Sequence, residues 1–182
     1  MSSNYKFHDQ ERPYFVTFTV IRWIDVLTRR EYKDIIVDSL KYSIENKGLQ
    51  LYAWVIMSNH VHLIIGTNNK PMQDILRDIK RHTSKAIIKA ISENLQESRR
   101  EWMLWFFERE GKNNVNNERY QFWQQGSHPV ELSSNGIMDQ KLEYLHSNPV
   151  TAGWVNEPEQ YLYSSAIDYA GGKGLIDIVL IG

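Results

Sequence analysis

The run Leu51-Tyr52-Ala53-Trp54-Val55-Ile56-Met57-Ser58-Asn59-His60-Val61-His62-Leu63-Ile64-Ile65-Gly66 constrains this chain more than any other stretch. It reads as two strands, over 49–57 and 60–66, joined by a tight turn at Ser58-Asn59. A strand has a side-chain period of two, so His60 and His62 share one face. Val61 and Leu63 point to the other face, where a core would lie. Two neutral imidazoles on one face can hold one metal ion or one phosphate. An HxH pair alone is often no more than a polar outer face, and such tracts are only compositional hints. The site needs a third ligand and a nucleophile or base from elsewhere.

The remaining elements follow from periodicity and punctuation. Residues 14–20 alternate β-branched and aromatic side chains and form a first strand. Thr28-Arg29-Arg30-Glu31 has the form of a capping box, so a helix should follow and end at Gly48. Pro71 opens a second helix with Leu76, Ile79, Thr83, Ala86 and Ala90 as its buried stripe. Residues 93–110 are expected to continue as helix, with Trp102, Trp105, Phe106 and Phe107 as packing residues. A polar, turn-rich loop near 111–118 is expected to be mobile. Residues 120–124 are read as a fourth short strand. Residues 137–148 form a further helix, ended at Pro149, and Gln140, Tyr144 and Asn148 share one of its faces. The tail from Trp154 on reads as irregular.

Strand, helix, strand, strand, helix, strand is a split βαβ order. The fold class is therefore α+β: a ferredoxin-like arrangement with a central antiparallel sheet and helices packed mainly on one face. A chain of 182 residues suits one domain spanning 1–182. No apolar run reaches the length of a membrane span, and residues 1–6 lack the apolar core of a signal peptide. With no cysteine, disulfides and thiolate metal sites are excluded, and a cytoplasmic location is expected.

The net charge of −1 and pI near 6.6 do not mark a nucleic-acid binder, so any such role must rest on a local patch. One patch is available. Arg77, Arg81, Lys85 and Lys89 recur every four residues on the second helix, with Lys80 at the edge. They form either a solvated face or a phosphate-binding stripe.

Several segments, in order, resemble the HUH single-tyrosine transposases, in particular the REP-associated tyrosine transposases. They are Trp54-Val55-Ile56-Met57-Ser58-Asn59-His60-Val61-His62-Leu63-Ile64, Arg77-Asp78-Ile79-Lys80-Arg81-His82-Thr83-Ser84-Lys85 and Phe122-Trp123-Gln124-Gln125. Lys141-Leu142-Glu143-Tyr144-Leu145-His146-Ser147-Asn148-Pro149-Val150, Ala152-Gly153-Trp154-Val155 and Tyr161-Leu162-Tyr163-Ser164-Ser165-Ala166 complete the set. HxH alone is weak; HxH followed by Tyr-x-x-x-Asn-Pro-Val is specific. The resemblance covers roughly residues 12–170.

The resemblance implies metal-dependent cleavage and strand transfer on single-stranded DNA, with or without a hairpin, through a 5′-phosphotyrosine. Tyr144 matches the nucleophile. His60, His62 and Asn148 match the metal ligands, for Mg²⁺ or Mn²⁺. Arg77, Lys80, Arg81 and Lys85 are the candidate DNA contacts. The acting unit is expected to be a monomer or a homodimer. Mn²⁺ suits an N,N,O ligand set better than Mg²⁺, although Mg²⁺ is the more abundant ion. Two other readings stay open: a non-catalytic nucleic-acid-binding domain derived from a transposase, and a metal-dependent phosphodiesterase acting on a small molecule. Intact Tyr144, His60 and His62 argue against the first.

Overall fold

The computed structural model describes residues 7, 9–68, 70–113 and 119–181. Its centre is an antiparallel sheet in the order β2-β3-β1-β4. The strands are β1 (Tyr14–Thr19), β2 (Leu49–Ile56), β3 (His60–Thr67) and β4 (Val130–Glu131). This is the split βαβ order read from the sequence. The helices are α1 (Arg30–Lys47), α2 (Met72–Glu93), α3 (Arg100–Lys112), α4 (Asn135–Thr151) and a short α5 (Ala166–Tyr169).

The pleat divides the molecule. Val16 and Phe18 of β1 join Val61, Leu63 and Ile65 of β3 in the main core, under Ile36 and Leu40 of α1 and Ile75 and Ile79 of α2. Phe15, Ala53, Val55 and Ile64 face the other way and pack with Leu132 and Leu145 in a smaller cluster under α4. Helices thus cover mainly one face, and α4 crosses the second. Thr17 pairs with His62 and Thr19 with His60, so both histidines share the α4 face with Phe15 and Ile64.

Four local expectations are corrected. First, Thr28 does not cap α1: the helix begins at Arg30 after Arg29, with no side-chain cap. Tertiary contacts hold that end instead. Glu31 accepts from Asn94, and Arg29 and Arg99 both pair with the buried Glu97. Second, residues 93–110 are not one helix, because the chain turns between α2 and α3. Third, residues 120–124 form an extended strap with a single bridge, Val20 to Trp123, and the paired fourth strand is Val130–Glu131. Left-handed backbone at Gly126 and His128 interrupts the ladder after the bridge. Lys80 Nζ instead ties the strap down by donating to the carbonyls of Gln124 and Gly126, each at 2.8 Å.

Fourth, α4 runs through Pro149 to Thr151. Proline there forgoes the N–H bond to the Leu145 carbonyl and crowds that carbonyl, a cost confined to the last turn. The Asn148 side chain bonds back to the Tyr144 carbonyl, and the helix stops at left-handed Gly153 (φ 73°), as a C-terminal glycine does. Asn148 thereby keeps helical geometry one turn after Tyr144. The tail is also less irregular than expected. Residues 163–165 lie along the free edge of β2, with Ile56 N donating to Tyr163 O and Ser165 N to Trp54 O, both at 2.9 Å. The expected mobile loop falls largely on 114–118, outside the described residues.

Candidate active site

The exposed end of β3 and the outward face of α4 meet over the smaller core. His62 stands on β3 with its neighbour Thr17 on β1; Thr17 Oγ1 lies 2.9 Å from His62 Nδ1. The ring stacks on Phe15, centroid to centroid 5.1 Å, and is 6% exposed. Its Nε2 is buried and, among the described residues, without a hydrogen-bond partner. Burial, with positive charge at His60 and Lys141 adding, holds His62 down to about 3. It is therefore a neutral imidazole at ordinary pH.

His60 lies beside it, ring centroids 4.7 Å apart. Its tautomer follows from its neighbours. Asn59 Nδ2 donates to Trp23 O at 3.2 Å and to Asp25 Oδ1 at 2.9 Å, both pure acceptors. The Asn59 carbonyl oxygen must then face His60 Nδ1, 2.7 Å away, and accept its hydrogen. Nε2 is left as a lone pair. Burial lowers the His60 pKa, while a hydrogen bond to Asn148 and the charge of Asp25 oppose the shift.

Tyr144 arrives from α4 with its ring 5.4 Å from His62 and 6.1 Å from Phe15. Its side of α4 is open, and the residue is 50% exposed. Lys141, one turn earlier, holds Nζ 5.6 Å from the Tyr144 ring and 5.0 Å from Phe15.

His60, His62, Tyr144 and Asn148 are thus brought together. The donor set is two imidazoles and an amide, with His60 hydrogen-bonded to Asn148 and His62 Nε2 unpartnered, and it fits a divalent ion that accepts N and O ligands. The orphaned Nε2 of His62 is the observation that favours a ligand there, because buried polar atoms are normally paired. Thr17 and Asn59 occupy the positions of groups that orient ligating histidines through their other nitrogen. Among the described residues, no three His, Cys, Asp or Glu side chains cluster closely enough to hold a metal, so a third ligand beside the two histidines would have to be a residue of another type.

The basic stripe is elsewhere. α2 covers the opposite face of the sheet, where Arg77, Lys80, Arg81 and Lys85 line an open groove of about 840 Å³ with Arg119, Gln124 and other residues of the strap. Arg77 pairs with Asp74 and Asp78. Lys80 is half-buried, committed to two backbone carbonyls, and lowered by burial to about 8. Arg81 and Lys85 are exposed.

Sequence reasoning missed Thr17, Trp23, Asn59 and Lys141. For Lys141 a signal existed, since residues three apart share a helix face. Thr17 depends on the register of β1 against β3, which no local pattern specifies.

The family model described as Transposase IS200 like matches residues 13–109, more than half of the chain. The match contains both histidines and the basic helix and ends before Tyr144. No curated protein matches the sequence significantly. Among solved structures, a REP-associated tyrosine transposase bound to a REP hairpin is similar over 100% of this chain and 96% of its own, with 17% identity and a TM-score of 0.61. A Deinococcus radiodurans protein assigned as a transposase is similar over 79% of this chain and 95% of its own, with 16% identity and a TM-score of 0.45. The family pattern runs from β1 into α3 and the fold is shared end to end with the first of these structures, and the chain belongs to the IS200-like transposase family.

Proposed function

We propose that this protein cuts and rejoins single-stranded DNA with Tyr144 as nucleophile and a divalent ion, Mg²⁺ or Mn²⁺, held by His60, His62 and Asn148. The observation that carries the proposal is the half-exposed Tyr144 ring beside His62, whose buried Nε2 has no partner among the described residues. Tyr144 Oη attacks the phosphorus and forms a P–O bond to the 5′ side. The P–O3′ bond breaks, the phenolic proton passes to solvent, and the departing 3′ oxygen takes a proton from solvent to become a free hydroxyl. When bound, the ion would polarise the scissile phosphate and stabilise the departing oxygen. Lys141 holds its ammonium 5.6 Å from the Tyr144 ring, where it would face the negative charge of the phosphate that Tyr144 attacks. The phosphotyrosine retains the energy of the broken bond, so a second 3′ hydroxyl can reverse the step.

All four residues come from one chain, which supports a monomer as a sufficient acting unit. The hairpin in the similar solved structure supports DNA of that kind as the substrate. Arg81 and Lys85, with Arg77 and Lys80, are the proposed backbone contacts.

The test is incubation with end-labelled single-stranded DNA and Mn²⁺ or Mg²⁺, followed by a denaturing gel. The native chain is expected to give a protein–DNA adduct that chelation of the ion abolishes. Tyr144→Phe, which removes one oxygen, is expected to give none while still binding DNA. An adduct at native levels in Tyr144→Phe would overturn the assignment.

A further inference from the structure

The turn that follows β1 holds a large aromatic side chain in an unusual way. Arg22 (φ 55°) and Trp23 (φ 58°) are consecutive non-glycine residues in left-handed backbone. Such conformations are costly and persist only where the surroundings enforce them, commonly at functional sites. Here the enforcement is visible. Ile21 N donates to Phe122 O at 2.8 Å, Trp23 N to Val20 O at 2.9 Å, and Asn59 Nδ2 to Trp23 O at 3.2 Å. Ile21 and Ile24, on either side, pack against the main core. Trp23 itself joins neither core cluster and is 56% exposed.

The indole therefore contributes little to packing, yet its backbone is strained and pinned. Among the described residues its aromatic neighbour is His60: the ring lies 5.6 Å away, in an edge-on contact. β1 ends at Thr19, which pairs with His60, so Trp23 sits just beyond the His60 end of the two-histidine row. Tyr144 and Phe15 lie at the His62 end. An open aromatic face is thus held at the far side of the site from the nucleophile.

We infer that Trp23 is a base-stacking platform, holding a nucleobase of single-stranded DNA beside the phosphate presented to the histidines. This rests on the DNA-cleaving reading above and adds to it a nucleobase subsite. Every base has a π-face, so such a platform positions the strand without reading its sequence. It would fix the strand on the side of the phosphate away from Tyr144.

The test is an abasic scan. Binding of a fluorescein-labelled hairpin oligonucleotide with single-stranded arms is measured by anisotropy in a Tyr144→Phe background, so affinity is read apart from chemistry. Trp23→Ala is expected to weaken binding roughly 5- to 150-fold, the range for one stacked base, with Trp23→Phe retaining most of the affinity. Removing the base at one position in an arm is expected to cost the Trp23 protein a similar factor and the Ala variant nothing. Should Trp23→Ala lower the melting temperature, Trp23→Gly, which relieves the left-handed backbone, carries the same comparison.

Equal affinity of the Trp23 and Ala proteins, or abasic penalties that are the same in both at every position, would overturn the inference. So would absence of single-strand binding by the native chain. A single-position coupling in a native chain that forms no adduct would instead uphold the platform and overturn the transposase chemistry.

Discussion

At the scale of single residues, buried polar groups here are decided by one or two partners each. Asn59 selects the tautomer of His60 only because Trp23 O and Asp25 Oδ1 leave its amide no other orientation. His146, two residues from both Tyr144 and Asn148, is turned inward and 9% exposed, with Nε2 2.9 Å from Ser165 Oγ. Burial holds it down to about 4, below the ordinary imidazole value of 6.5. Between these values the unfolded chain binds a proton that the folded chain refuses. Stability therefore rises with pH across this window and falls as pH drops through it. The gap corresponds to about 3 kcal/mol at full extent. Urea denaturation of His146→Gln is expected to show a flatter dependence between pH 7 and 4.5, with His62 still contributing in the same direction. An unchanged slope would mean that His146 is accessible to protons in the folded state.

At the scale of elements, small interruptions decide which face a side chain reaches. β2 carries a register shift between Leu51 and Ala53. Leu49 and Leu51 before it, and Trp54 and Ile56 after it, all reach the main core, although the two pairs differ in parity. A bulge does this by inserting one residue. Without it, Trp54 would fall on the α4 face. The α1–β2 junction depends in the same way on Gly48, left-handed at φ 74°. A Cβ there would lie 2.5 Å from Asn68 O, which belongs to backbone and cannot swing aside. Gly48→Ala is expected to destabilise the protein by about 1–3 kcal/mol, as a lower urea midpoint at constant m-value. A stability within about 0.5 kcal/mol of the native chain would show that the junction relaxes freely.

At the scale of the whole molecule, the candidate active site and the basic groove occupy opposite faces of the sheet. The strap joins them: Gln124 and Gln125 line the groove, Gln124 N donates to Thr19 O at 2.7 Å, and Thr17 N donates to Ser127 O at 3.0 Å. DNA held in both places would have to pass around this edge of β1. The net charge of −1 confines electrostatic attraction to such local patches. Replacing Arg81 and Lys85 by Ala is expected to weaken single-strand binding and reduce the log–log salt slope by about 1.4, at about 0.7 per lost contact. Arg77 is paired with Asp74 and Asp78, so Arg77→Ala is expected to lower the slope by less than about 0.7, the value for a full contact. An anisotropy salt series with an unchanged slope would place the DNA backbone outside the groove. Among the described residues, no helix is long and apolar enough to cross a membrane.

The sequence by itself determined the first three strands, the two long helices and the face shared by the histidines. These follow from periods of two and 3.6 residues, which are local properties of the chain. It also placed Tyr144 and Asn148 one helical turn apart. Only the tertiary structure decided that this turn lies against His62, and that the basic stripe lies behind the sheet. Both depend on which sheet face each helix covers, and local periodicity marks an apolar side without naming its partner. The same holds for the stop of α4 at Gly153 instead of Pro149, and for the start of α1 without Thr28. There the winning interactions come from residues distant in sequence or past the local signal. Trp23 shows the limit most clearly: an aromatic after a strand reads as core, and only the strained turn pinned by Asn59 and Phe122 leaves it in the open beside His60.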